Sequence, residues 1–252
     1  MATLEQWIAT WRQLGVAAPA GVYEELMARY AEPQRRYHTG RHLEECFGEL
    51  AGVRGEAAHP GEVEVALWFH DAVYDTRRHD NEEKSAAWAR EVVARAGLDA
   101  EIGERVAALI MATRHDAEPK GTDAGVLVDV DLAILGAEPA RFDEYERDVR
   151  AEYGWVPEGL FRRERRKILE RLLARERLYN TPRMRESHEP RARANLARSL
   201  ATLAPRARRR LPVALALAVV AAGIAGFFLE GPLWLVFAGA GAMVLFYELR
   251  RP

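Results

Sequence analysis

Hydrophobic positions recur at helical spacing along the first two hundred residues, and no sustained alternation of apolar and polar positions predicts a strand. Proline and glycine separate the helical segments. The predicted helices cover residues 4–14, 20–30, 40–53, 61–75, 81–96, 100–113, 129–135, 141–153, 158–175 and 190–203. Asp80 and Glu83 fit a capping box at the start of the helix over 81–96. The sequence therefore predicts an all-α domain over residues 1–203, since no long linker divides them.

The pattern changes after residue 210. Leu211 to Leu229 are nineteen residues without a charge, and a helix of that length rises about 28 Å, close to the ~30 Å hydrocarbon core of a bilayer. A turn at Gly231-Pro232 leads into a second apolar run, from Leu233 to Tyr247, which is short for a span. Residues 211–252 are therefore predicted to form a two-helix transmembrane hairpin. The alternative is a buried hairpin or a contact within a homo-oligomer.

The total of 36 Lys and Arg against 38 Asp and Glu hides an uneven distribution of charge. Residues 1–159 carry 17 basic and 31 acidic side chains, whereas residues 160–210 carry 17 and 5. Basic residues in the linker 204–210 precede the first apolar run and Arg250-Arg251 follow the second, which places both ends of the hairpin on the cytoplasmic side. We expect anchoring at the cytoplasmic face of the inner membrane, with anionic lipid rather than nucleic acid as the partner of the basic segment.

The cysteine and histidine content narrows the candidate chemistry. The single cysteine, Cys46, excludes a disulfide scaffold and indicates a reducing compartment. The histidines cluster early in the chain, at positions His38, His42, His59, His70 and His79, with His115 following. His70 shares helical spacing with apolar neighbours, so it is predicted to point inward with Asp71 beside it. An inward histidine is commonly a hydrogen-bonded core residue, but the adjacent carboxylate favours metal binding.

Two further pairs of residues carry metal-binding potential. His38 and His42 are four residues apart, on one side of a helix beginning near Thr39, and such a pair can bind zinc; the alternative is a surface pair. Asp129 and Asp131 lie inside a strongly apolar run. Burying a carboxylate costs on the order of several kcal/mol unless the charge is compensated. One of the two aspartates could cap a helix, but we do not expect both to do so.

Together these residues resemble the H…HD…D signature of the HD-domain metal-dependent phosphohydrolases. The resemblance extends over five ordered blocks and covers roughly residues 3–203; it is closest to the bacterial subgroup described as predicted HD-superfamily hydrolases. The blocks are Tyr37–Cys46, Ala66–Asp75, Asp80–Ala86, Asp129–Gly136 and Tyr153–Pro157. The resemblance implies an HD-type helical bundle that holds a divalent metal ion through His42, His70, Asp71 and Asp131. This mixed nitrogen and oxygen set suits Mn, Fe, Mg, Co, Ni or Zn.

The resemblance also suggests roles for the residues around the metal. Asp71, Glu82 and Glu83 are the catalytic candidates, the glutamates as general acid or as water-positioning groups; a solvated first helical turn is the alternative for whichever faces away. Arg78, Lys84 and Arg114 are the favoured phosphate-binding residues, and His38 is expected to orient a ligand or the substrate. His115 and Glu82 are the candidate extra ligands of a second metal ion, although Asp116 stands where the subgroup tends to carry another histidine. The remaining histidines, His59, His79 and His188, are predicted to lie on the surface.

The functional expectation is a metal-dependent phosphohydrolase that uses a metal-activated water on a nucleotide or another small phosphorylated compound. The alternative is a membrane-anchored HD-domain sensor that binds metal and nucleotide without turnover. A structural membrane-associated protein with a vestigial motif is disfavoured, because all four ligand positions are intact.

Overall fold

A computed structural model describes residues 2–203 of the chain. The chain divides into two units, Met1–Leu203 and Ala204–Pro252, and every described residue belongs to the first. This part of the chain contains helices and no strand, which confirms the all-α prediction for it. The helices are α1 Leu4–Gln13, α2 Val22–Tyr30, α3 Gly40–Val53, α4 Pro60–Phe69, α5 Asn81–Arg95, α6 Ala100–Ala112, α7 Thr122–Asp131, α8 Pro139–Glu152, α9 Glu158–Ala174, α10 Pro182–Ser187 and α11 Glu189–Leu203, with short 3₁₀ turns at Arg54–Glu56 and Leu132–Gly136.

Helix α4 is the central element of the fold. Every residue from Gly61 to Phe69 is buried, because α4 packs against α1, α3, α5, α6 and α7. A helix surrounded by other helices buries all of its sides, so the apolar spacing around His70 reflects burial on every side of α4. Five neighbouring helices thus contact α4, the helix that leads directly into His70.

Two glutamates on α4 are buried and need partners. Glu62 receives a two-pronged hydrogen bond from the Arg105 guanidinium, at 2.8 and 2.7 Å. Glu64 accepts hydrogen bonds from Thr10 at 2.8 Å and from Arg54 at 2.9 Å. These partners come from α1, α6 and the 3₁₀ turn after α3, so the two carboxylates fasten the central helix to its surroundings.

The central helix ends at Phe69, although the sequence pattern predicted a helix to residue 75. The loop that follows is held by side chains from other elements. The buried Arg35 donates to the carbonyl oxygens of Asp71 and Ala72, at 2.7 and 3.1 Å. Ser85 Oγ accepts from the backbone N–H of Val73 at 3.0 Å. Because these contacts satisfy the backbone groups outside the helix, the chain can leave it directly after the His-Asp pair.

Two other local predictions were wrong. Asp80 precedes α5, but its side chain makes no cap hydrogen bond; it binds Arg78 instead, at 2.7 and 2.6 Å. Glu83, its expected capping-box partner, pairs with Arg114. The predicted helix over 129–135 is divided between the end of α7 and the 3₁₀ turn Leu132–Gly136. Arg78 is two residues from Asp80, whereas Arg114 is 31 residues from Glu83, and a capping-box spacing predicts neither contact.

The linker predicted over 204–210 and the transmembrane hairpin predicted over 211–252 lie outside the described residues. Among the helices of residues 2–203, none is long and apolar enough to cross a membrane. The membrane anchor and the inner-membrane location therefore remain predictions from the sequence.

Candidate metal centre

Three predicted metal ligands from different helices meet at one point. His42 Nε2, on α3, lies 3.2 Å from His70 Nε2 and 3.3 Å from Asp131 Oδ1, and His70 Nε2 lies 3.5 Å from Asp131 Oδ1. All three ligand atoms lie within 4.8 Å of one another. Ligands that each stand about 2.0–2.2 Å from one ion are separated by roughly this spacing. The three side chains could therefore hold one divalent ion.

Asp71 brings a second carboxylate oxygen close to the same point. Its Oδ2 lies 3.0 Å from His70 Nε2 and 3.5 Å from His42 Nε2. Its backbone carbonyl is held by Arg35 at 2.7 Å. Asp71 does not belong to the three-residue set in which every ligand atom is close to every other, so the structure shows it in contact with the two imidazoles, and its role as a ligand remains a prediction.

The backbone fixes which nitrogen of His70 faces the centre. Nδ1 of His70 lies 2.8 Å from the carbonyl oxygen of Leu67, one turn earlier, and must donate a proton to it. A neutral His70 therefore presents the lone pair of Nε2 to His42, Asp71 and Asp131. Both imidazoles are almost fully buried. Lone pairs brought this close in a buried site need a cation or a proton between them.

Electrostatics favour positive charge at this point. Burial opposes the charged form of His70, but the Asp71 and Asp131 carboxylates raise its pKa well above the usual value. Burial likewise opposes the charged form of Asp71, but His70 and His38 hold its pKa below the usual range. Hydrogen bonds from His115 and His42 lower the pKa of Asp131 in the same way. The carboxylates thus stay ionised and available to a metal ion.

His115 reaches the centre through Asp131. Its Nε2 lies 2.9 Å from Asp131 Oδ2, while the other carboxylate oxygen faces His42. Its backbone has a positive φ of 57°, and its carbonyl accepts a hydrogen bond from Arg175 at 3.1 Å. Within residues 2–203, the buried Nδ1 of His115 has no hydrogen-bond partner. His115 therefore orients Asp131 in this structure.

Glu82 lies near the centre but makes no hydrogen bond or ion pair with His115. It is half-buried, and its pKa is raised by burial and by the charge of Asp71, against which Arg114 acts weakly. The structure thus places Glu82 within electrostatic range of Asp71. Within residues 2–203, no hydrogen bond or ion pair connects His115 with Glu82, the two expected extra ligands of a second metal ion. The second metal ion therefore remains a prediction.

His38 is held by a residue that sequence reasoning missed. Nδ1 of His38 donates to Glu152 Oε2 at 2.7 Å. Because α3 begins at Gly40, His38 precedes the helix, and the prediction that His38 and His42 share one side of it was wrong. The two rings nevertheless approach to 5.8 Å between centroids. Burial opposes protonation of His38, but Asp71 and Glu152 raise its pKa above the usual value. His38 therefore stands beside the centre as a fixed, proton-binding imidazole.

The Glu152 carboxylate, at the end of α8, accepts hydrogen bonds at both of its oxygens. Oε1 accepts from the backbone N–H groups of Arg36, Tyr37 and His38, at 2.7, 2.8 and 3.0 Å, and Oε2 also accepts from the Tyr74 hydroxyl at 2.9 Å. Burial works against ionisation, but the His38 and backbone hydrogen bonds lower the pKa of Glu152 to about 2. In the sequence, Glu152 is distinguished only by its position next to the block 153–157, and that position does not predict its contact with His38.

The predicted phosphate-binding cations are each engaged by a carboxylate. Arg78 and Lys84 both bind Asp80, at 2.6 and 3.3 Å. Arg114 pairs with Glu83, the third catalytic candidate, and lies 3.3 Å from Asp116. A substrate phosphate would have to compete with these partners. The three cations and Glu83 therefore form surface ion pairs in this structure, and their roles in phosphate binding and catalysis remain predictions.

The two aspartates of α7 are used differently. Asp129 is fully buried and accepts from the backbone N–H groups of Asn180 and Thr181, at 2.7 and 2.6 Å. Asp129 therefore holds the loop that leads into α10, a helix that the sequence pattern did not predict. Asp131, two residues later, points to the metal centre.

A cavity of about 190 Å³ adjoins the centre at His42 and Asp131. His188, predicted on the surface, lines this cavity with only 15% of its side chain exposed, and its Nε2 lies 3.4 Å from Glu49 Oε2. That prediction was wrong because α11 packs over the 3₁₀ turn at Leu132–Gly136, so His188, which directly precedes α11, faces the cavity. His59 and His79 are exposed, as predicted.

No protein-family model matches the chain, and no curated protein or solved structure is significantly similar to it. The resemblance to HD-domain phosphohydrolases therefore stays a prediction. Its basis is the motif residues, of which His42, His70, Asp71 and Asp131 lie together in the structure.

Proposed function

We propose that this protein is a metal-dependent phosphohydrolase that acts on a small phosphorylated compound. The observation that carries the proposal is the buried convergence of His42, His70 and Asp131, with Asp71 in contact with both imidazoles. Bound there, a divalent ion such as Mn, Fe, Mg, Co, Ni or Zn would lower the pKa of a water molecule and polarise a phosphoryl oxygen.

The surrounding residues support the proposal by holding the ligands in place. The Leu67 carbonyl fixes the tautomer of His70, and His115 holds the outer oxygen of Asp131. Arg35 anchors the carbonyl of Asp71. Partners of this kind orient metal ligands, and their loss commonly costs about 10–100-fold in metal affinity or activity.

Two groups are candidates for proton transfer to the leaving oxygen. His38 donates from Nδ1 to Glu152, which leaves Nε2 as the nitrogen that can exchange a proton with substrate. Its ring is stacked on Tyr74 at 4.1 Å, so its orientation is fixed. Glu82 is the second candidate, because a raised pKa favours the protonated form that a general acid requires.

The test is metal-dependent release of phosphate by the full chain. Metal-free protein is assayed with p-nitrophenyl phosphate and a panel of nucleotides and sugar phosphates, before and after addition of each candidate metal. We expect activity to appear on metal addition, to vanish in Asp131→Asn, and to persist in His59→Asn, a matched exposed histidine. Elemental analysis should show metal lost from Asp131→Asn alone. Absence of phosphate release with every metal would refute the proposal.

One observation favours a second candidate function, a sensor that binds metal and nucleotide without turnover. Hydrolysis benefits from cations that neutralise developing charge on the phosphoryl group, yet Arg78, Lys84 and Arg114 are each paired with carboxylates. Tight nucleotide binding by metal-loaded protein, with no product after prolonged incubation, would support the sensor over the hydrolase.

A further inference from the structure

The cavity beside the metal centre has one wall on α3 and the other on α7 and the following turn. His42 and Asp131, both predicted metal ligands, are among the residues that line it. A phosphate ester whose phosphoryl group lies at the candidate centre could therefore place its alcohol part in this cavity. Beyond the predicted ligands, the residues that matter here are Tyr37, Glu45, Glu49, Ala137, Arg141 and His188.

The cavity is small. Its volume of about 190 Å³ is below the roughly 300 Å³ at which pockets for drug-sized ligands begin. His188 restricts it further, because it packs directly on the turn: a Cβ added to Gly136 would lie 2.7 Å from the Cβ of His188. This volume suits a compact alcohol part better than a complete nucleoside.

The charges that line the cavity are already balanced. Arg141 binds both oxygens of Glu45, each at 2.8 Å. His188 lies 3.4 Å from Glu49, and its hydrogen bond lowers the pKa of the Glu49 carboxyl despite partial burial. A charged substituent entering the cavity would have to compete with these ion pairs, whereas the buried Nη1 of Arg141, which makes no hydrogen bond within residues 2–203, can donate to a neutral hydroxyl.

Some polar groups of the cavity remain open to a ligand. Within the described part of the chain, the hydroxyl of the buried Tyr37 makes no hydrogen bond, although its ring lines the cavity. The Glu49 carboxylate is 42% exposed and can accept a further hydrogen bond. The opposite wall is apolar, at Val130 and Ile134. Such a lining suits a molecule that carries hydroxyl groups on a short carbon skeleton.

Resting on the proposed phosphohydrolase function, we propose that this cavity binds the alcohol part of the substrate, and that this part is compact, uncharged and hydroxyl-bearing. The substrate class is therefore a sugar or polyol phosphate monoester rather than a nucleotide.

The test compares ribose phosphate and glycerol phosphate with nucleoside monophosphates and ribose bisphosphate, using metal-loaded full chain. Tyr37→Phe removes only the hydroxyl, and Ala137→Leu fills the cavity. Tyr23→Phe and Ala197→Leu are the matched controls, since neither residue lines the cavity. We expect the highest kcat/KM for ribose or glycerol phosphate, with KM about tenfold higher in the two cavity variants and kcat nearly unchanged.

The outcomes separate this inference from the function on which it rests. Preference for nucleoside monophosphates, or an unchanged KM in both cavity variants, overturns the inference while metal-dependent hydrolysis of p-nitrophenyl phosphate leaves the proposed function standing. If no ester is hydrolysed with any metal, both fail. Should Ala137→Leu not fold, Tyr37→Phe, which has nearly the same shape as the native residue, still decides the matter.

Discussion

Glu152 and His38, 114 positions apart in the chain, form a carboxylate–imidazole pair with 2.7 Å between Oε2 and Nδ1. The same carboxylate accepts three backbone N–H groups just before α3. One side chain at the end of α8 thus fixes both the entry to the helix that carries His42 and the ring that stands beside the centre. Under the proposed function, a group with this geometry would link the stability of the fold to proton transfer by His38.

We expect Glu152→Gln to lower kcat about a hundredfold, because the amide cannot stabilise a protonated His38. Metal content should stay near the wild-type value, since Glu152 contacts no predicted ligand through a hydrogen bond. The pH profile of kcat is the decisive measurement, because loss of the carboxylate should move the limb that reports His38 to lower pH. A kcat that falls with an unmoved profile would show that Glu152 is structural only.

The same residue predicts acid sensitivity. The pKa of Glu152 is depressed in the folded protein, from an ordinary value of 4.5 to about 2. Its stabilising contribution is therefore fully present above about pH 4.5 and is lost as the pH falls toward about 2. The difference corresponds to on the order of 3 kcal/mol.

Urea unfolding of metal-free wild type and Glu152→Gln at pH 6, 4 and 3 tests this linkage. The wild type should lose more stability than the variant over this range, because only the wild type has this carboxylate to protonate. Parallel curves for the two proteins would contradict the assignment. The comparison cancels the other carboxylates, which titrate in both proteins.

Arg35 should be a large contributor to stability. It is 3% exposed and donates to the carbonyls of His38, Asp71 and Ala72. Arg35→Met would leave these acceptors without their donor, at a cost of about 3 kcal/mol. Arg29→Met is the control, because within residues 2–203 the exposed Arg29 side chain pairs only with Glu32, and the change should cost at most about 1 kcal/mol. Equal midpoints of urea unfolding for the two variants would refute the role of Arg35.

The sequence pattern predicted what depends on local spacing. Both ends of α3, at Gly40 and Val53, agree with the predicted range 40–53, because an amphipathic helix with clear flanking breakers is a local signal. The end of α4 was missed, since no glycine or proline lies between residues 62 and 75 and the helix stops where Arg35 and Ser85 bind the backbone. Arg35 and Ser85 are distant in sequence from the end of α4, so the spacing of apolar residues does not predict these contacts.

The candidate centre likewise contains residues that the sequence predicted and residues that it did not. The four predicted ligands belong to one motif, and the structure brings them together. The role of Glu152 was not predicted and His188 was placed on the surface, because neither an acidic residue at a helix end nor a histidine between two helices has a distinguishing spacing. Their roles follow from how α8 and α11 pack, which is a property of the whole fold.

If Glu82 is a general acid, activity should depend on pH in the opposite direction to that expected for a general base. Burial and the Asp71 charge raise the pKa of Glu82. If Glu82 is the general acid, it must be protonated, so activity should fall as the pH rises through this raised pKa, and Glu82→Gln should remove that fall. Glu83→Gln, which changes the exposed neighbour paired with Arg114, is the control and should keep the wild-type profile. A wild-type profile in Glu82→Gln would assign the proton to His38 instead.

His115 distinguishes a centre with one metal ion from a centre with two. Its Nε2 lies 2.9 Å from Asp131 Oδ2, and within residues 2–203 no hydrogen bond or ion pair joins it to Glu82. We therefore expect His115→Ala to keep one equivalent of metal but to bind it about 10–100-fold more weakly, because Asp131 loses the partner that orients it. Titration of metal-free protein with Mn, followed by elemental analysis, measures both quantities. A fall from two equivalents to one, with unchanged affinity for the remaining ion, would contradict this and establish His115 as a ligand of a second metal ion.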